Sequence, residues 1–590
     1  MQIPRNEYPR PQLRRDDWLC LNGEWEFEID DSGSGEARGL VTADRLAGTI
    51  VVPFCPESRL SGVEHTDFMR CVWYARKLEI PDAWKDRRVI LHFGAVDYRA
   101  TVWVNGKKVG THTGGYTPFA FDITDSLNFT DDRVVLSAFD DVRSYRQPAG
   151  KQSDRYESYG CYYTRTTGVW QTVWLEAVED CHIGSLKMTP DVSACAVTLE
   201  CRLAGDTDGA SLQVRVTFDG KEVGRTEVAG ISANSVTVTV PLSEKHLWDV
   251  GVGNLYDVEL ELTRGGRTTD RVTSYFGLRS VSLRGRAFRL NGRVLFGRWV
   301  LDQGFYPDGI YTAPTDGDLK NDILKSMELG FNGARLHQKL FEPRFLYWAD
   351  RLGYLCWDEQ ANWGLDISDA GAVQHFLPEW LESVERDYNH PSVIGWCPFN
   401  ETWDFQGRRQ ADSVLLQVYR VTKALDATRP VIGTSGNFYV ESDIYDVHDY
   451  EQEPEKFRTY YAQIPEGIVN DQTARNPRWK DRQHYDGKQP VFVSEYGGIR
   501  WAEEKSGWGY GKGPENEQEF LDRYRGLTDA LLDNEDIMGF CYTQLFDVEQ
   551  EQNGLMTYDR RFKFDPAVIR AINTREAAIE RKFNGKEEHV

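Results

Sequence analysis

The sequence has no segment that would tie it to a membrane. No apolar run approaches the ~18–20 residues that a spanning helix requires. The opening, MQIPRNEYPRPQLRR, has no apolar core of the signal-peptide kind, so a cytoplasmic location is expected. A basic block is also missing. There are 92 Asp and Glu against 69 Lys and Arg, a net charge of −23. Binding a phosphate backbone or an anionic lipid surface needs clustered cations, so neither nucleic acid nor membrane is an expected partner. The ten cysteines are scattered without ligand spacing, and none of the eleven histidines sits in a His-x-His or similar cluster. No metal is therefore expected. Cys356 in YLCW and Cys397 in IGWCPF lie in apolar runs, as buried reduced thiols do. The glycine-rich stretch GWGYGKGP (507–514) lacks the strand–turn–helix context of a nucleotide loop, so no cofactor is expected.

Aromatic residues, by contrast, make up 13% of the 590 residues. Their rings serve equally as β core and as platforms for the apolar faces of sugars. Up to about residue 180, short apolar or alternating strands such as VILHFGAV, ATVWV and VVLSAF predict a jelly-roll β-sandwich. Asn105-Gly106 supplies the positive φ values of a two-residue hairpin turn. Residues 181–278 alternate every second position in AVTLECRL, LQVRVTF, SVTVTV and LYDVELEL, with Asp219-Gly220 as another turn. About seven strands over a hundred residues predict an immunoglobulin-like sandwich. From 279 to 590 strands alternate with helices, which predicts a (β/α)8 TIM barrel. Its expected strands are 295–303, 331–338, 354–359, 393–401, 431–436, 444–450, 491–496 and 537–545.

In such barrels the reactive side chains stand at the C-terminal strand ends. Here those ends carry Asp302, Arg335, His337, Glu359, Asn400-Glu401, His448-Asp449-Tyr450 and Glu495-Tyr496. Two carboxylates across one mouth suit glycosidic-bond cleavage, one protonating the leaving oxygen and the other attacking the anomeric carbon. A separation of about 5–5.5 Å implies retention through a covalent intermediate, and about 6.5–9.5 Å implies inversion.

Four long segments sharpen this reading: VDYRATVWVNGKKVGTHTGGYTPFAFDIT, LDQGFYPDGIYTAPTDGDLKNDILKSMELGFNGARLHQ, NHPSVIGWCPFNETW and VFVSEYGG. In their order the chain resembles glycoside hydrolase family 2, the family of β-galactosidases, β-glucuronidases and β-mannosidases, along nearly its whole length. The resemblance implies a retaining exo-glycosidase with Glu401 as acid/base and Glu495 as nucleophile. It further implies that Asn400 meets the sugar 2-hydroxyl, that Arg335 and His337 support the nucleophile, and that Asp302 and Glu359 face the sugar, with a buried Arg–carboxylate pair or a satisfied core histidine as their alternative roles. Tyr450 and Tyr496 are candidates for holding the nucleophile, with rim packing as their alternative role. Trp363 is a candidate stacking platform. Trp501, with the 507–514 loop, is a candidate lid.

The sugar is read from one stretch. The β-glucuronidases resembling this chain carry an Asn-x-Lys pair for the substrate carboxylate, where this chain has Glu551 and Asn553. An anionic Glu551 facing a glucuronate would repel it. A neutral β-D-galactoside is therefore the expected substrate, as an oligosaccharide or small glycoside. The alternatives are an arabinoside or galactofuranoside, and a glucuronide or galacturonide. A non-catalytic carbohydrate-binding scaffold is the competing class, and the intact Glu401 and Glu495 argue against it. The loops of the two sandwiches carry no catalytic cluster, so bracing the barrel and contacts within a homo-oligomer are their expected roles.

Overall fold

The computed structural model describes residues 3–502 and 507–584. The first β region packs a four-stranded sheet on a six-stranded one. Trp25, Phe27, Tyr74, Leu91, Val102 and Leu175 are buried between them. Asn105 (φ 51°) and Gly106 (φ 77°) turn Arg99–Val104 into Lys107–Thr113. The second region pairs a three-stranded with a four-stranded sheet, seven strands in all. Its alternating apolar residues, among them Leu199, Val214, Leu260 and Val272, meet in one core. Asp219 (φ 48°) and Gly220 (φ 77°) make its expected hairpin.

A small three-stranded sheet (Val281–Arg284, Ala287–Leu290, Arg293–Val294) leads into the barrel. It inserts Phe288 and Leu290 into the barrel interior beside Trp299, Trp357 and Phe492. Seven parallel strands follow around the barrel: Gly297–Asp302, Gly333–Leu336, Leu355–Glu359, Val393–Cys397, Tyr445–Asp449, Val491–Gly497 and Ile537–Thr543. They are buried on both faces, which is why they read as continuous apolar runs. The expected fifth strand, 431–436, forms no ladder. It joins strand four through two parallel bridges, Trp396 to Val431 and Asn400 to Ser435. Helices pack outside. Asp316–Glu328, for instance, starts with a capping box between Thr315 and Asp318. The ten cysteines are free thiols. No described helix is long and apolar enough to cross a membrane.

The two sandwiches meet the barrel at opposite ends. The second docks where strands begin: Trp248 Nε1 donates to Asp350 O (2.7 Å), and Arg279 donates to Pro391 O and Val393 O. The first docks where strands end, through an apolar cluster that includes Tyr116, Tyr163, Trp170, Phe305, Tyr311 and Leu340.

Candidate active site

Glu401 and Glu495 face each other across the strand ends. Glu401 follows the fourth strand at φ 43°, with its N–H donating to Ser435 O at 2.8 Å. A non-glycine residue held at positive φ costs about 1–3 kcal/mol and persists only where its surroundings fix it. His448 stands between the two carboxylates. Its Nδ1 is 2.7 Å from Glu401 Oε1 and 3.4 Å from Glu495 Oε2, and its Nε2 is 2.9 Å from Ser435 Oγ. Gly436 lets the imidazole in, because a Cβ there would lie 2.4 Å from His448 Nδ1. Oxygens of both glutamates and a nitrogen of His448 lie within 4.8 Å of one another. Those three groups also have the donor types and spacing for a divalent ion. The sequence showed no such cluster because the three groups lie 47 to 94 positions apart, on two strands and the segment that follows a third.

Arg335, fully buried, organises the nucleophile side. It donates to Glu359 Oε2 (2.7 Å), Glu495 Oε1 (2.8 Å), Asn400 Oδ1 (2.7 Å) and Ser494 O (2.9 Å), and lies 2.8 Å from His337 Nδ1. Tyr450 donates its hydroxyl to Glu495 Oε2. Burial alone would raise the Glu495 carboxyl. His448, Arg335, His337 and Lys151 outweigh it and hold the group well below the usual carboxylate range. Burial likewise works against protonation of His448, but Glu495 and Glu401 raise it above an ordinary imidazole. The Glu401 side chain is 22% exposed against 6% for Glu495, so the two glutamates differ in access to the cleft.

Asn400, Arg335, His337 and Tyr450 thus join the two glutamates in one bonded network. Asn400 keeps its amide Nδ2 free of protein acceptors among the described residues, with its backbone fixed by Asn362 and by Trp363 Nε1 (3.1 Å). Glu359 takes the second of its two expected roles, a buried pair with Arg335. It is sealed beneath Arg335 and also accepts from Gln338 N, so it anchors the arginine. Asp302 is buried at the rim and accepts from Gly304 N. Burial and nearby Asp322 push its carboxyl up to about 6.

Tyr496 and Trp501 lie apart from the site. Side chains alternate along a strand, so with Glu495 facing inward Tyr496 points outward, bonding Thr528 of the helix Glu517–Leu532. Trp501 packs on Phe520 and Phe564. The 507–514 loop contributes a residue that sequence reasoning missed: Tyr510 stacks on Tyr450 at 3.4 Å, nearly parallel. Glu551 turns inward. It accepts from Tyr163 Oη and Asn553 Nδ2, and Gln303 and Gln544 close a polar ring with them.

The first sandwich lines this mouth, contrary to a purely bracing role. Ala149 N and Gly150 N donate to Trp363 O, and Gln550 Nε2 donates to Gly160 O and Tyr162 O. A cleft of about 270 Å³ lies between Tyr145, Gln152 and Tyr162 of the sandwich and Trp363, Trp403 and Glu401 of the barrel. A larger cleft of about 430 Å³ runs past Tyr8, Tyr275 and Tyr347 and contains none of these groups.

Three family models match in this order: "Glycosyl hydrolases family 2, sugar binding domain" over residues 19–147, "Glycosyl hydrolases family 2" over 181–279, and "Glycosyl hydrolases family 2, TIM barrel domain" over 314–503. The chain belongs to glycosyl hydrolase family 2. It is a glycosidase by that membership. A β-galactosidase of Thermoanaerobacter pseudethanolicus is 27% identical over 71% of this chain, which spans only 54% of that relative. A β-glucuronidase of Streptococcus agalactiae is 24% identical, covering 96% of this chain and 97% of the relative. Among solved structures, a β-glucuronidase from Ruminococcus gnavus in complex with D-glucuronic acid shares the fold, with a TM-score of 0.78 at 19% identity, covering 97% of this chain and 100% of that one.

Proposed function

We propose that this family 2 member is a retaining exo-glycosidase. Glu495 attacks the anomeric carbon while Glu401 gives its proton to the departing glycosidic oxygen. Water, deprotonated by Glu401, then cleaves the glycosyl–Glu495 ester and restores both carboxyl groups. The observation that carries this reading is the approach of the two carboxylates to within 4.8 Å, on the short side of the range associated with retention. Arg335 and Tyr450 aim and ionise the nucleophile, and the free amide of Asn400 is suited to the sugar 2-hydroxyl.

For the sugar, a hexuronide is the favoured reading. The expectation of a neutral galactoside assumed that Glu551 confronts the substrate as a free anion. Its carboxylate is 2% exposed and turned to Tyr163 and Asn553, so that objection loses its force. The β-glucuronidase of Streptococcus agalactiae aligns with nearly the whole chain, which supports the same reading. A β-galactoside is the second reading, favoured by the relative of that name.

Two measurements test the mechanism. Glu495→Gln is expected to lower kcat/KM on an aryl glycoside by at least about 10⁴-fold. A 2-deoxy-2-fluoroglycosyl inactivator of the matching sugar is expected to label the peptide containing Glu495. Wild-type turnover in the variant, or a label on another residue, would sink the assignment.

A further inference from the structure

Lys151 is a largely buried cation whose one role so far is at a distance, helping to keep Glu495 ionised. It is 6% exposed, and its ammonium makes no hydrogen bond or ion pair among the described residues. It belongs to the first sandwich, in the segment whose neighbours Ala149 and Gly150 are bonded to Trp363 O. The ammonium stands 5.5 Å from the Trp363 ring centre and 5.9 Å from that of Tyr163. Trp363 lines the same cleft as Glu401, and Tyr163 is bonded to Glu551. Trp363 holds the carbonyl of Asn400, and Tyr163 belongs to the polar ring of Glu551. The charge of Lys151 acts on Glu495 and His337 as well.

The side chain is largely buried and its ammonium has no protein acceptor among the described residues, so an anionic ligand can take that place. The backbone of residues 149–150 is pinned to the barrel, so the stem of Lys151 starts from a fixed point. Aromatic faces on two sides leave a narrow approach and favour a cation between them.

We propose that the ammonium of Lys151, delivered by the first sandwich, receives the carboxylate of the terminal sugar. This inference rests on the hexuronide reading and names the residue that enforces it. The barrel positions 551 and 553 carry no cation, so the positive charge comes from the other domain.

The test compares kcat/KM for aryl β-D-glucuronide, β-D-galacturonide and β-D-galactoside in wild type, Lys151→Met and Lys151→Arg. Wild type is expected to prefer a uronide. Lys151→Met is expected to lower the uronide-to-galactoside ratio about 100-fold, mainly through KM, and Lys151→Arg to restore part of it. Raising the salt concentration should weaken uronide binding in wild type more than in Lys151→Met. If Lys151→Met does not fold, Lys151→Gln is read by the same ratio. A wild type that cleaves uronides, with a ratio held within threefold in the variant, would overturn the role of Lys151 and leave the hexuronide reading standing. A wild type that cleaves the galactoside and neither uronide would overturn both.

Discussion

The two β-sandwiches have similar architecture and different relations to the chemistry. The second is bound to the barrel where strands begin, through Trp248, Tyr275 and Arg279 on backbone carbonyls and Asp350. No residue of the bonded glutamate network comes from it. The first is bound where strands end, and it lends Tyr162, Tyr163 and Lys151 to the mouth. Which end of a barrel a module meets decides whether it can touch substrate, because the functional side chains of this fold stand at one end only.

The largest effect expected from this contrast is on stability alone. Trp248 is fully buried, with its indole N–H bonded to Asp350 O. Trp248→Ala leaves a cavity at the barrel base and should cost about 3–5 kcal/mol. Denaturant unfolding should show the loss, while kcat/KM per folded molecule stays within about twofold of wild type, since distant sites act nearly independently. A large fall in kcat/KM with an unchanged unfolding midpoint would erase the distinction between the two sandwiches.

Tyr163→Phe probes the other end. The change strips one donor from Glu551 and one acceptor from Gln303, both buried. It should lower kcat/KM about tenfold, the equivalent of one good hydrogen bond at about 1.4 kcal/mol. Kinetics indistinguishable from wild type would make the polar ring a matter of folding and leave the first sandwich with less say in the site.

Much of the barrel side was legible in the sequence. Glu401, Glu495, Asn400, Arg335, His337 and Tyr450 each follow an apolar run, and strand ends in this fold point to one mouth. The choice left open for Tyr496, between holding the nucleophile and packing, could be settled on the same logic, since adjacent residues on a strand face opposite ways. Residues such as Lys151 and Tyr163 were not legible. They sit in an irregular segment without periodicity, and their partners in the barrel are far along the chain, as with Tyr163 and Gln303 (140 apart) and Tyr163 and Glu551 (388 apart). The incomplete fifth strand was also hidden, because VIGTSG carries the apolar start of a strand while its backbone turns aside after two bridges to hold Ser435 and Gly436 near His448.

The smallest expected effect concerns pH and the contact that seats the first sandwich. Glu379, on the barrel helix Val373–Asp387, accepts from Tyr116 N at 2.7 Å and lies against Gly114 (φ 142°), where a Cβ would be 2.8 Å from the carboxylate. Its second oxygen, Oε2, is buried with no hydrogen-bond partner among the described residues. Burial, with Glu382 adding to it, pushes this carboxyl up to about 8. In the unfolded chain the same proton leaves near pH 4.3. The folded state therefore binds more protons between those values, and stability falls as pH rises from the lower to the higher, with the loss complete beyond about 8. Glu57, raised to about 8 in the first sandwich, adds a slope of the same sign. Glu379→Gln removes one titrating group while keeping an oxygen for Tyr116 N. Its thermal midpoint should fall by less than that of wild type between pH 5 and pH 9. Equal slopes would mean that the Glu379 carboxyl titrates in the ordinary range, and that the seat of the first sandwich is no more pH-sensitive than the rest of the molecule.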